Sequence, residues 1–175
     1  MSDVIIRIAN AEDAELVAEI SRETFCETFG PFNTQSDMDK FLSQQFAKEK
    51  LIDQVIQKGN IFLLAFINKE LAGYLFLKEA THEKLSTNHT IEICRLYSRT
   101  AFIGKGVGKA LMLAAITQAK QLHKEILWLG VWKYNQRAAR FYTAFGFEKF
   151  AEQDFLLGDD VQRDWVMKLV LKVKS

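Results

Sequence analysis

The sequence predicts an α/β sandwich: a mixed, mostly antiparallel central sheet of about seven strands, flanked by helices on both faces. Three observations carry the prediction. Side chains recur at helical spacing through residues 13–58. Two apolar runs, Asn60–Ile67 and Leu71–Glu79, are joined by the polar Asn68-Lys69-Glu70 and read as a β-hairpin. Between His89 and Trp132 come a strand, a glycine-rich loop, an apolar helix and another strand. Such a β-α-β unit puts a parallel pair into an otherwise antiparallel sheet.

Taken in order, Val4–Ala9 alternates around Arg7 and forms a first strand. Asn10 and Asp13 signal the start of a helix over Asp13–Thr28, which carries Leu16, Val17, Ile20, Thr24 and Phe25 on one face. Gly30-Pro31 ends it. Ser36 is the expected N-cap of a second helix from about Asp37, with an apolar stripe of Met38, Phe41, Leu42 and Phe46. An amphipathic piece, Glu49–Lys58, stops at Gly59. After the hairpin, residues 80–88 are polar and loop-like, and His89–Ser98 is a strand. The glycines lead into a helix reaching about His123. Glu125–Trp132 is a strand, Asn135–Phe145 a helix and Glu148–Leu157 a strand. Gly158-Asp159-Asp160 turns the chain into a last strand, Val161–Val173. No repeat or low-complexity stretch interrupts residues 1–175, so one domain is expected.

Composition narrows the function. Basic and acidic side chains nearly balance, 23 against 22, so nucleic acid and anionic membrane are not expected as main partners. Cys26 and Cys94 form no C-x-x-C pair and sit among apolar residues, which suits a reducing compartment. His82, His89 and His123 are scattered, so no metal site is expected. The N-terminus lacks the pattern of a signal peptide, and the longest apolar run, Ile61–Ile67, is too short to span a membrane. A cytoplasmic location is the expectation.

The chemistry gathers at Ile91–Leu111, where Gly104, Gly106 and Gly108 alternate between a strand and a helix. Glycines let the backbone turn and bring its N–H groups close to a ligand. The helix start adds unpaired donors and the positive end of its dipole, a setting for phosphate. A ligand-free glycine turn is the alternative reading of this stretch alone. G-x-G-x-x-G fails, because the third glycine would fall on Lys109 or Leu111. The Walker loop fails too, because Ala110 follows Gly108-Lys109 where a hydroxyl is needed. The G-x-G-x-G pattern that remains has the shape of an acyl-coenzyme A pyrophosphate loop.

That loop and VWKYNQRAARFYTAFGF (Val131–Phe147) together resemble the GNAT superfamily of acyl-CoA N-acyltransferases. The family carries Q/R-x-x-G-x-G/A after its fourth strand, read here as Ile103-Gly104-Lys105-Gly106-Val107-Gly108, with Ile103 in place of Gln or Arg. It also carries N-x-x-A-x-x-x-Y ending in G-F, matched at Asn135, Ala138 or Ala139, Tyr142, Gly146 and Phe147. The element order agrees over nearly the whole chain. ETFCETF (Glu23–Phe29), WLGVWKYN (Trp128–Asn135) and the GDD turn are similar to the bacterial spermidine/spermine N-acetyltransferase branch.

The resemblance implies acetyl-CoA as donor and a small-molecule amine as acceptor, with a polyamine as the leading candidate. It implies that Leu96, Tyr97 and Ser98 pair through their backbones with the pantetheine arm. Gly104, Gly106, Val107 and Gly108 would hold the pyrophosphate, with Ile103 contributing through its backbone. Lys105 and Lys109 would attract phosphates, or else serve as solvated surface charges. Asn135 would both cap its helix and touch coenzyme A, and Ala138 would let the cofactor approach. Tyr142, two turns after Asn135, would be the acid that protonates the leaving thiolate, unless it is simply a core aromatic.

An acceptor ammonium, with a pKa of roughly 10, must lose a proton before it can attack. Glu92 is the expected base, directly or through water: it is an acid in an otherwise apolar strand, where burial raises its pKa. It also lies eleven residues before Ile103, where some family members place such a glutamate. The alternatives are a surface ion pair or a binding role toward a cationic substrate. Period-two alternation puts Glu92, Cys94 and Leu96 on one face, and Cys94 reads as packing rather than as a nucleophile. By family geometry Glu23, Phe25, Glu27, Thr28, Phe29 and Trp132 are candidate acceptor residues, the aromatics for cation–π contact, unless Phe25 and Phe29 belong to the core and the acids to a wet helix face. Two other readings stay open, an acyl-CoA-binding regulator without turnover and an acetyltransferase for protein N-termini or lysines. A homodimer pairing through an exposed final strand is also open.

Overall fold

Asn68 and Lys69 both adopt left-handed backbone conformations, φ 50° and 67°. Two such residues make the tight hairpin turn whose twist suits antiparallel strands. The turn joins β2 (Asn60–Ile67) to β3 (Glu70–Glu79), in a computed structural model that describes residues 3–172. The hairpin sits near one end of a sheet that, among the described residues, has seven strands in the order β1-β2-β3-β4-β5-β7-β6. Its other strands are β1 (Ile5–Ile8), β4 (Thr90–Ser98), β5 (Ile126–Trp132), β6 (Glu148–Leu157) and β7 (Asp160–Val170). All neighbours run antiparallel except β4 and β5.

Alternation along the central strands divides their apolar side chains between two cores. Leu63, Ala65, Leu75, Leu77, Ile91 and Ile93 face α4 (Val107–Gln121), which buries Leu111, Met112, Ala115 and Ala119 against them. Tyr142 and Phe141 of α5 (Gln136–Ala144) join this core. Phe62, Leu64, Tyr74 and Phe76 face the other way, toward Val17 and Ile20 of α1 (Ala14–Phe29). A smaller cluster joins Phe25 of α1 to Met38 and Phe41 of α2 (Gln35–Gln44) and to Leu157 of β6. α3 (Lys48–Ile56) completes that layer.

Several details differ from the sequence expectation. α2 starts earlier than Ser36 implies, because Thr34, extended at ψ 153°, accepts a hydrogen bond from the Asp37 N–H at 3.1 Å. The last strand begins at Asp160 and ends at Val170, and Val173 lies outside the described residues. It is not an exposed edge: β7 is hydrogen-bonded to β5 on one side and β6 on the other. The route to a homodimer through an exposed final strand is therefore closed. After α5 the chain places β6 one position away from β5, and β7 fills the gap, so β6 and β1 are the edges.

The feature that positions the site is a bulge in β4. On the β3 side, Phe76 pairs with Arg95 and Leu77 with Ile93, which leaves Cys94 without a partner. A bulge bends its strand and breaks the alternation of side chains. Glu92, Cys94, Arg95 and Tyr97 all reach the α1 side, whereas Leu96 packs with the α4 core. Leu96 thus does not share a face with Glu92 and Cys94, as strict alternation would have it.

Leu111 is fully buried where α4 meets the sheet, so truncating it leaves a cavity that the rigid strands cannot close. Leu111→Ala is expected to cost about 3 kcal/mol of stability. In a thermal melt of a chain this size the midpoint should drop by roughly 6–12 °C.

Candidate active site

β4 and β5 pair only from Thr90–Ile126 to Ile93–Leu129, yet β4 runs on to Ser98 and β5 to Trp132. Past Ile93 the two strands separate, leaving the backbone of residues 94–98 without a strand partner on that side. The opening is a cleft of about 600 Å³, walled by Leu96, Tyr97 and Ser98 on one side and Gly130, Val131 and Trp132 on the other.

The glycine loop closes one end of the cleft. Gly104 and Gly106 have φ of +83° and +84°, conformations costly for any residue with a Cβ. Gly106 caps α4 with no side-chain hydrogen bond, and Val107, Gly108 and Lys109 line the cleft. The first-turn N–H groups of α4 are therefore available to an anion at the positive end of the helix dipole. An unpaired strand edge leading to such a terminus fits an extended arm that ends in phosphates. Ile103 and Lys109 line this cleft, while Lys105 does not: its ammonium lies over the Phe102 ring, 5.2 Å from the centroid.

α5 forms the opposite wall. The Asn135 Oδ1 accepts from the Ala138 N–H at 3.2 Å, capping the helix and holding Ala138 at the cleft. Phe141 and Tyr142 follow one turn later, and burial pushes the Tyr142 hydroxyl up to about 12. Tyr142 is thus a protonated phenol at neutral pH, able to donate.

A second cavity of about 390 Å³ lies on the α1 side of the sheet. It shares Phe29, Cys94, Arg95, Tyr97, Gly130 and Trp132 with the cleft, so these residues mark the throat where the two adjoin. Its walls are aromatic, with Phe25 stacked on Phe41 at 4.3 Å between centroids and Phe29 edge-on to Trp132 at 6.4 Å. Glu92 lines this cavity rather than the cleft. Burial raises its carboxyl above the ordinary range, against the opposing influence of the Cys94 thiol and the Lys78 ammonium. Cys94 is itself pushed up to about 12, mainly by burial and then by Glu92, which leaves it a neutral thiol.

Two acids of α1, Glu23 and Glu27, hold the chain that follows β4. Glu23 accepts from Arg99 Nε at 2.7 Å, while Arg99 Nη1 donates to the Leu71 carbonyl at 2.8 Å. Glu27 Oε2 accepts from the Thr100 N–H at 3.1 Å and its hydroxyl at 2.9 Å. These bonds tie α1 to the end of β4. Glu27 and Thr28 are brought to the cofactor cleft, whereas Phe25 lines the second cavity; Phe29 and Trp132 stand in the throat.

Arg137, Arg95 and Asp164 are among the lining residues that carry no signal in the sequence. Arg137 borders the cleft from α5. Arg95 is only 9% exposed, and its guanidinium lies 4.9 Å from the Phe76 centroid and 5.0 Å from that of Phe46. Its Nη2 donates to Gln54 Oε1, and Nη1 has no hydrogen-bond partner among the described residues. Asp164 of β7 brings a second carboxyl to the cavity, and burial pushes it up to about 6. A lone charge in a strand carries no motif, and neither residue could be placed before the strand order was known.

A sequence profile described as the acetyltransferase (GNAT) family matches residues 19–147. An uncharacterized N-acetyltransferase of Lactobacillus delbrueckii subsp. lactis is 38% identical over 95% of this chain and 96% of its own. The spermidine N(1)-acetyltransferase of Thermoplasma acidophilum is 25% identical over 93% of this chain and 94% of its own. Among solved structures, PaiA N-acetyltransferase from Thermoplasma acidophilum in complex with coenzyme A superposes with a TM-score of 0.76 at 24% identity, covering 96% of this chain and 99% of that one. YncA, a putative acetyltransferase from Salmonella typhimurium with acetyl-CoA, gives a TM-score of 0.69 at 22% identity, covering 99% and 97%. With its splayed strands, glycine loop and profile match, the chain belongs to the acetyltransferase (GNAT) family.

Proposed function

We propose that this N-acetyltransferase carries the acetyl group of acetyl-CoA to a primary amine of a small cationic molecule, with a polyamine such as spermidine or spermine as the acceptor. The observation that carries the reading is the throat, which joins a phosphate-ready cleft to an aromatic cavity holding two carboxyls. Ammonium groups are held by aromatic faces and by carboxylates, and both line this cavity. The 25% identity to a spermidine N(1)-acetyltransferase along most of both chains supports the same choice.

Bound acetyl-CoA supplies a thioester, whose carbonyl carbon an unprotonated amine can attack. The chain's part is placement and proton management. The free edge of Leu96–Ser98 takes the pantetheine arm, and Gly104–Gly108 with Lys109 take the pyrophosphate. Asn135 holds the start of α5, and Ala138 keeps that wall thin. Tyr142, kept protonated by burial, gives its proton to the departing sulfur. The ammonium must lose its proton to a carboxylate of the cavity, and Glu92 is the one to which the sequence points, directly or through water. Phe29 and Trp132 flank the amine at the throat, while Thr28 and Glu27 support it from the cofactor side.

Two measurements test this. A free-thiol release assay across spermidine, spermine, amino acids and peptides should show the highest kcat/KM with the polyamines. Thiol release only with peptides would transfer the assignment to protein acetylation, and no release with any amine would leave an acyl-CoA-binding protein without turnover. Tyr142→Phe should lower kcat by about a hundredfold while the Kd for coenzyme A stays within twofold. An unchanged kcat would remove Tyr142 from the chemistry.

A further inference from the structure

Building on the acetyl-transfer reading, we infer that Asp164, rather than Glu92, takes the proton from the acceptor ammonium. Position is the first reason. Asp164 of β7 lies opposite Trp132 of β5, level with the open part of the β4–β5 splay, whereas Glu92 lies opposite Trp128, where the strands are still paired. A Cβ built on Gly130 would stand 3.3 Å from Asp164 Oδ2 and 3.1 Å from Gln153 Nε2. Gly130 is a throat residue, so its missing side chain is what lets this carboxyl approach the point of transfer.

The second reason is electrostatic company. Glu92 has the Lys78 ammonium beside it, which both stabilises its charge and repels an incoming cation. Among the described residues, Asp164 has neither an ion pair nor a hydrogen-bond partner for its carboxyl, and burial alone moves it up to about 6. That is low enough to be ionised at neutral pH and high enough to accept a proton. The charged or titratable groups around the cavity are Tyr97, Cys94, Glu92 and Arg95 from β4 and Lys78 from β3. Burial raises the Tyr97 phenol first, and Tyr74, Tyr142 and Asp164 add to it against Arg95, so Asp164 and Tyr142 both act on this ring. The helices around the cavity, with β5 and β6, present rings and amides to it: Phe29, Phe41, Gln54, Trp132 and Phe155.

The protons then balance. The ammonium gives one proton to Asp164, which becomes neutral. The freed amine forms the C–N bond as the C–S bond breaks, and loses a second proton. Tyr142 supplies the proton that the sulfur gains and recovers one from the nitrogen, while Asp164 releases its own to solvent. The products are an amide, coenzyme A thiol and one proton.

The test compares wild type, Asp164→Asn, Asp164→Glu and Glu92→Gln, with saturating acetyl-CoA and spermidine. Coenzyme A affinity by calorimetry serves as the check that each variant is folded. Wild type should lose kcat/KM below about pH 6. Asp164→Asn should lower kcat about a hundredfold and abolish that acidic limb, with coenzyme A affinity kept. Asp164→Glu should restore both the limb and part of the rate, whereas Glu92→Gln should raise KM and leave the limb in place. If Asp164→Asn keeps its rate, or if the limb vanishes only in Glu92→Gln, the inference is overturned and the broader reading survives. If wild type releases no thiol with any amine, both fall together.

Discussion

Everything in the site depends on β4 and β5 parting after Ile93 and Leu129. Buried backbone N–H and C=O groups need partners, and a sheet normally supplies them from the next strand. The bulge at Cys94 bends β4 at this point, and the strand keeps its antiparallel partner β3 while losing β5. The result is an unpaired strand edge that faces the cleft. Such an edge is a liability unless something extended lies along it. The glycine loop and the start of α4 stand at the end of that edge, so one ligand with a polar arm and phosphates satisfies both. The same bulge rotates Arg95 and Tyr97 toward α1, opening the throat to the second cavity.

The second cavity is built to keep charges unusual. Arg95 is buried and, among the described residues, has no carboxylate within ion-pair distance; it is held instead by the faces of Phe46, Phe62, Tyr74 and Phe76 and by Gln54. Burying a guanidinium costs heavily unless polar or aromatic groups answer it, and here the ring quadrupoles do so. Among the described residues the Asp164 carboxyl of this cavity likewise has no ion-pair partner, and burial raises it. Burial of Tyr142 and Tyr97 keeps both phenols protonated, so acids that hold their protons line the cleft while the Asp164 carboxyl lines the cavity beside it.

Much of the fold was legible because local chemistry dictated it. The hairpin at Asn68-Lys69, the helix capped by Asn135 and the glycine loop all rest on short-range signals, and each element lies where those signals placed it. What stayed hidden depended on non-local geometry. The Cys94 bulge cannot be read from IEICRLYS, which looks like an uninterrupted strand, so simple alternation puts Leu96 on the wrong face. The insertion of β7 between β5 and β6 comes from strand order rather than composition, and it alone brings Asp164 opposite Trp132. Glu23 and Glu27 look like free acids on a wet helix face, yet Arg99 and Thr100, more than seventy residues away, engage them.

The central claim is that the free edge of β4 and the start of α4 form one binding surface for acetyl-CoA. Hydrogen exchange of the backbone amides, with and without coenzyme A, measures this directly. Exchange at Leu96–Ser98 and at Val107–Lys109 should slow together by about tenfold or more, in proportion to coenzyme A occupancy. If coenzyme A binds while these amides exchange unchanged, or if protection falls on the β6 edge instead, the account is contradicted.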